Sequence, residues 1–113
     1  MSKYIMSVYS NAVEGRDAEY NQWYDDIHLA EVLEVPGFVA AQRFAVAGDP
    51  VRGDTPAHKY LAIYELETED PELCLAALNE AVAGGNMNIS DAIRMDDVAA
   101  QVYGPISDRL TEK

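Results

Sequence analysis

Residues 20–38, YNQWYDDIHLAEVLEVPGF, decide the fold of this chain because they join a helical pattern to its stop signal. Apolar side chains recur three and four positions apart from about Arg16 to Val35, as on one face of a helix, and Pro36-Gly37 ends the pattern. The recurring side chains are Tyr20, Trp23, Tyr24, Ile27, Ala30 and Leu33. Carboxylates and a histidine share the same helix, so we expect a functional site on it.

Four segments with strand character flank this helix. Residues 3–10 alternate and are rich in β-formers, and residues 38–46 and 59–67 form a strand pair joined by an exposed loop with two Gly and two Pro. Residues 98–103 supply the last strand before Gly104-Pro105 breaks the pattern. The chain is therefore rich in antiparallel strand pairs.

A second helix is predicted to begin near Pro71, with Thr68 as its cap, and to end at Gly84-Gly85. The element order is then βαββαβ. This order predicts an α+β, ferredoxin-like fold, in which two helices lie on one face of a four-stranded antiparallel sheet. The 113 residues suffice for one such domain, residues 1–113.

Both faces of the predicted sheet are apolar. In the third strand Tyr60, Ala62 and Tyr64 alternate with Leu61 and Ile63. The second strand places Phe38, Ala40 and Phe44 on one side and Val39, Ala41 and Ala45 on the other. Because two helices cover only one face, we expect the other face to pack against a second copy in a homodimer.

Composition excludes several partners. A net charge of −12, with 8 Lys and Arg, repels phosphate backbones and argues against nucleic acid. The chain contains no run of about 18 apolar residues, so no membrane span is expected. The single cysteine, Cys74, falls in an apolar helical stretch, which fits a reducing cytoplasmic compartment.

His28 is the leading candidate for a catalytic residue because an imidazole titrates near neutral pH. Asp25 stands three residues earlier on the helix, where its carboxylate could orient the ring, and Tyr24 lies one turn away. The alternative interpretation is that His28 packs the helix end while Asp25 is a solvated neighbour. The spacing alone leaves both interpretations open.

The remaining candidates would shape a substrate pocket. Aromatic side chains on the helix and strands could bind an apolar ligand or donate a hydroxyl to it, and they are Trp23, Tyr20, Tyr64, Tyr9 and Phe44. Arg43 could hold an anion or pair with Glu65 across the sheet. No His or Cys spacing typical of a metal site occurs, so no metal is expected.

The motif Trp23-Tyr24-Asp25-Asp26-Ile27-His28-Leu29 resembles the first-helix signature of EthD-like proteins, in the dimeric α/β-barrel superfamily. The resemblance extends through Glu31-Val32-Leu33, Pro36-Gly37-Phe38 and Arg43-Phe44, and covers about residues 18–45. It implies dimers formed through the sheets and a cleft for small, often aromatic or polyketide-like molecules. It leaves haem ligation by His28 open, since the superfamily includes haem-using members.

Two functions follow as hypotheses. The first is a small cofactor-independent enzyme for a hydrophobic carbonyl or phenolic metabolite, of isomerase, cyclase, lyase or monooxygenase type, in which His28 moves the proton. The alternative is a non-catalytic protein that binds a small molecule or another protein, and it needs no titrating group. The loss of conversion when His28 is replaced would distinguish them.

Overall fold

A computed structural model describes residues 2–112 and shows a four-stranded antiparallel sheet of order β2-β3-β1-β4. The strands are β1 (Lys3–Ser10), β2 (Phe38–Ala45), β3 (Tyr60–Glu67) and β4 (Ala99–Tyr103), and the helices are α1 (residues 17–33) and α2 (Pro71–Ala83). The predicted ferredoxin-like βαββαβ order is confirmed. Neither helix is long and apolar enough to cross a membrane within this part of the chain.

The start of α2 differs from the prediction. Asp70, not Thr68, is the N-cap, and its carboxylate accepts from the backbone N–H groups of Glu72 at 3.1 Å and Leu73 at 3.4 Å. Pro71 at the first helical position has no N–H to offer, so the cap bonds to the two residues that follow. Thr68 instead accepts from the Asp70 backbone N–H at 3.0 Å.

A bulge at the start of β2 changes which side chains share a face. Phe38 pairs with Leu66, but Ala40 pairs with Glu65, so one extra residue is inserted in β2. Beyond the bulge, Arg43 lies opposite Ala62 on the helix-covered face. The expectation that Phe38, Ala40 and Phe44 share a face is therefore wrong, because an inserted residue reverses the alternation.

The helix-covered face of the sheet forms the core. Met6 of β1 and Tyr60, Ala62, Tyr64 and Leu66 of β3 are buried beneath the helices. The opposite face is open, and apolar side chains alternate there with polar ones such as Gln42 and Gln101. It exposes Ile5, Tyr9, Phe44 and Tyr103, each at 40–50% of its maximal area. We call this second surface the open face.

Gly37 sets the turn from α1 into β2. Its φ is +96°, and a Cβ at this position would collide with the Cys74 Sγ of α2. Its carbonyl accepts from the Glu67 backbone N–H at 2.9 Å, so the turn cannot move without breaking a bond to β3. A side chain at this position would incur both backbone strain and overpacking.

We expect Gly37→Ala to lower the free energy of unfolding by about 2–5 kcal/mol, the sum of a left-handed backbone cost and an overpacking cost. Denaturant unfolding of Gly37→Ala, Cys74→Ala and the double mutant measures this change. Cys74→Ala in the Gly37→Ala background should recover part of the loss by removing the colliding sulfur. If the losses in free energy of unfolding of the two single variants simply added in the double mutant, a side chain at position 37 would not collide with Cys74.

Candidate active site

The first helix contains a π-helical turn over the motif that the sequence singles out. Asp17–Trp23 and Leu29–Leu33 are α-helical, and Tyr24–His28 between them is a π-helix. Apolar periodicity predicts a regular helix here, because a single wide turn leaves the three- and four-residue spacing on either side intact. Such turns occur frequently at functional sites.

The wide turn lets His28 contact two aromatic rings at once. In a regular α-helix, residues five positions apart, such as Trp23 and His28, point about 140° apart around the axis. Here the two rings stack, with centroids 4.7 Å apart and planes inclined by 21°. Tyr24 meets the same imidazole edge-on at 5.1 Å. The π turn therefore gathers Trp23, Tyr24 and His28 on one side of the helix.

These three side chains line a cavity of about 460 Å³ between the sheet and α2, and Tyr64 of β3 lines it with them. The cavity exists because α2 stands off the sheet. Within Pro71–Ala83 only Cys74 is buried. The other walls are mainly apolar and include Met6, Val8, Leu75, Leu78, Val82, Ile89, Ile93 and Met95.

The imidazole of His28 is largely removed from water. Its Nδ1 atom is buried and makes no hydrogen bond to any residue among 2–112. Burial lowers the pKa of His28 from its usual value of 6.5, and the Glu31 carboxylate partly opposes this shift. The ring is therefore neutral at pH 7 and able to accept a proton.

Glu31 is the carboxylate next to His28. Its Oε1 lies 3.9 Å from Nδ1, and both of its oxygens accept from the Asn88 backbone N–H, at 3.2 and 3.1 Å. The Asn88 carbonyl in turn accepts from the Trp23 indole N–H at 2.6 Å. Sequence reasoning did not assign Glu31 a role, although its position three residues after His28 is the same spacing that favoured Asp25.

Tyr64 presents a buried hydroxyl at the same cavity, beside the hydroxyl of Tyr24. The side chain is 1% exposed, and its Oη makes no hydrogen bond of regular geometry to the described residues, although the Tyr24 hydroxyl lies close enough to interact with it. Burial raises the pKa of Tyr24 to about 12 and raises the pKa of Tyr64 further. Both phenols therefore keep their protons at neutral pH and can donate them in hydrogen bonds.

Asp25 lies apart from this group. Its carboxylate accepts from Arg43 Nη1 at 2.8 Å, and the predicted hydrogen bond to His28 is not formed. Arg43 also donates to Asn21 at 2.8 Å and lies over the Tyr24 ring, 4.4 Å from its centroid. The bulge in β2 turns Arg43 toward α1, so its expected pairing with Glu65 is also wrong.

Three other predicted ligand contacts lie away from the cavity. Tyr20 is fully buried, and its hydroxyl bonds to Ser10 Oγ at 2.5 Å within the core. Tyr9 and Phe44 project from the open face, because both pair across the sheet with Leu61, which lies on that face. The structure therefore brings together Trp23, Tyr24, His28 and Tyr64 of the predicted site.

Comparison with known proteins identifies the fold. No protein-family model matches the chain, and no curated protein is detectably similar in sequence. Among solved structures, an EthD-like protein from Ralstonia eutropha JMP134 matches with a TM-score of 0.62 and 17% identity, over 96% of each chain.

Two other matches have described chemistry. The haem-degrader MhuD from Mycobacterium tuberculosis, solved with two haems bound, matches with a TM-score of 0.59 and 16% identity, over 94% of this chain and 98% of its own. The cofactor-independent oxygenase SnoaB from Streptomyces nogalater matches with a TM-score of 0.54 and 15% identity, over 96% of this chain and 97% of its own. The chain thus has the ferredoxin-like fold of EthD-like proteins, as its first-helix motif predicts, and at these identities the similarity establishes the fold alone.

Proposed function

We propose that this protein is a small cofactor-independent enzyme that acts on a hydrophobic carbonyl or phenolic molecule of aromatic or polyketide-like shape. The observation that carries the proposal is the buried hydroxyl of Tyr64, which makes no hydrogen bond of regular geometry and lies with Tyr24 and His28 on the wall of one apolar cavity. An unsatisfied buried donor is costly in a folded protein. A ligand oxygen would satisfy it.

The site supports acid–base chemistry on such a ligand. Tyr64 and Tyr24 would donate to its carbonyl or phenol oxygen and stabilise the negative charge of an enolate or phenolate. His28, neutral at pH 7, would accept the proton that leaves the substrate and return it to the product. Isomerisation, cyclisation, a lyase step and cofactor-free oxygenation all begin with such an anion.

The cavity favours a ligand without charge. Its described lining contains no Lys or Arg, and His28 and the two tyrosines are the titratable groups in it. A carboxylate would therefore meet no permanent cation there and could be paired only by protonating His28, which burial opposes. Binding alone, without catalysis, is the second candidate function, and the apolar walls favour it equally.

Haem does not fit the residues of this cavity. His28 could supply an axial imidazole, but no basic side chain lies in the described lining to meet the two propionates. Elsewhere in residues 2–112, no three His, Cys, Asp or Glu side chains converge on a position that could hold a metal ion.

The open face supports a homodimer in which two sheets pack face to face. Ile5, Phe44 and Tyr103 are exposed on three strands of this face. Such a group of large apolar side chains exceeds the single, scattered apolar residues that are normal on a monomer surface. A two-fold axis would bury this surface against its own copy.

The single thiol, Cys74, is buried and free, which suits a cytoplasmic location.

Tyr64→Phe tests the proposed role of the buried hydroxyl. We expect the ligand-free variant to be more stable by about 1 kcal/mol, because the substitution removes a buried donor that the Tyr24 hydroxyl satisfies only poorly. We also expect ligand affinity to fall about tenfold, the value of one hydrogen bond. Thermal unfolding with and without ligand measures both effects.

Tyr60→Phe is the matched control for this prediction. The Tyr60 hydroxyl donates to Asp17 Oδ2 at 2.6 Å, so its removal should lower stability and leave ligand affinity unchanged. If Tyr64→Phe also destabilised the ligand-free protein, its hydroxyl would be satisfied by a protein partner. The proposal would then lose its main support.

A further inference from the structure

The Nδ1 atom of His28 has a carboxylate nearby but no hydrogen bond. Glu31 Oε1 lies 3.9 Å away, about 1 Å beyond hydrogen-bond distance. The two residues stand three apart on α1, where side chains are neighbours. Both side chains are mostly shielded, with 14% of His28 and 21% of Glu31 exposed. A small side-chain rotation would join them.

The carboxylate of Glu31 is held in place from the other side. The Asn88 backbone N–H bonds to both of its oxygens, and the Asn88 carbonyl is bound to the indole of Trp23, which stacks on His28. The Trp23 indole and the Glu31 carboxylate are thus both bound to the backbone of Asn88. The arrangement of His28 and Glu31 therefore resembles a general base with an orienting carboxylate more than a surface ion pair.

No other described charged group faces the imidazole. Tyr24 on the same helix and Tyr64 on β3 are neutral, and β1, β4 and α2 line the cavity with apolar side chains and Asn79. Asp25 is bonded to Arg43. Glu31 is therefore the acidic group that acts on His28.

We propose that Glu31 is the positioning residue of this site: it accepts the proton on His28 Nδ1 and leaves Nε2 to exchange a proton with the ligand. A partner on one ring nitrogen fixes the tautomer and the orientation of the other. The inference rests on the proposed function only for the role of His28. It assigns the orienting role to Glu31 where the sequence favoured Asp25.

Long-range ¹H–¹⁵N correlation spectra of the full chain, labelled at histidine, test the proposal without any substrate. The chain has two histidines, and His58, bound through Nε2 to the Asp97 carbonyl at 2.8 Å, is the internal reference. We expect neutral wild-type His28 to carry its proton on Nδ1. In Glu31→Ala the proton should move toward Nε2, with His58 unchanged.

Glu31→Gln separates charge from hydrogen bonding. Its amide oxygen can still accept from Nδ1, so the tautomer should persist while the pKa of His28 falls. Glu34→Gln removes the same charge from an exposed site at the C-terminal end of the helix and should change neither the tautomer nor the pKa of His28. A wild-type proton on Nε2, or the same tautomer and titration in Glu31→Ala, would overturn the proposal. Because turnover is not measured, a failure of the proposed enzyme activity would be seen separately.

Discussion

Replacing His28 with alanine is expected to lower turnover by about 10²- to 10⁴-fold, the usual contribution of one positioned acid or base. The imidazole lines the cavity, and its Nδ1 makes no hydrogen bond to residues 2–112 that the substitution would break. The fold should therefore survive, with a modest loss of stacking on Trp23. Single-turnover assays with a ligand identified by binding measure the effect.

His58→Ala is the matched control because it removes the other histidine, which lies by Asp97 outside the cavity. It should leave turnover near the wild-type value. The pH profile gives a second check. Because burial lowers the pKa of His28, the neutral base persists below pH 6.5 and the rate should decline only at more acidic pH. Full turnover by His28→Ala would refute the catalytic role and favour a binding protein.

Ile63→Glu is expected to abolish the proposed homodimer. Ile63 lies on β3 between Ser7 of β1 and Gln42 of β2, at the centre of the open face. A face-to-face dimer would bury the new carboxylate without a partner, which weakens association about 10²- to 10³-fold for each charge. Sedimentation of the variant over a range of concentrations measures this.

Val51→Glu provides the control for charge alone. Val51 is fully exposed in the loop between β2 and β3, outside the strands that form the open face. It adds the same charge to an already acidic chain, so the dimer should persist. A monomeric wild type, or an Ile63→Glu variant that still dimerises, would contradict packing through the sheets.

Much of the fold could be predicted because the signals are local. The alternation in residues 3–10 and the stop at Pro36-Gly37 reproduce the observed ends of β1 and α1 to within two residues. The bulge at the start of β2 could not be predicted, since one inserted residue leaves the composition of a strand unchanged. It nevertheless decides the face on which Arg43 and Phe44 lie.

The site was predicted in part. Trp23, Tyr24, His28 and Tyr64 line one cavity as expected, but it is the π turn that brings His28 to the side of Trp23. Ile27 and Leu33, which the periodicity placed on the buried face, are exposed for the same reason. The partner of His28 was not predicted, because a regular helix makes Asp25 and Glu31 equivalent neighbours at three residues. The π turn and the hydrogen bonds from Arg43 to Asp25 and from Asn88 to Glu31 decide between them. These hydrogen bonds are tertiary contacts, which the local sequence pattern does not reveal.

Native mass spectrometry against paired ligands tests the central claim most directly. Each pair would contain an uncharged polycyclic ketone or phenol and its carboxylate analogue, offered to the wild type and to Tyr64→Phe. We predict that the wild type retains the uncharged member, that Tyr64→Phe retains less of it, and that the carboxylate is excluded. Preferential retention of carboxylates, or equal retention of the ketone by both proteins, would contradict a cavity built around the Tyr64 hydroxyl and His28.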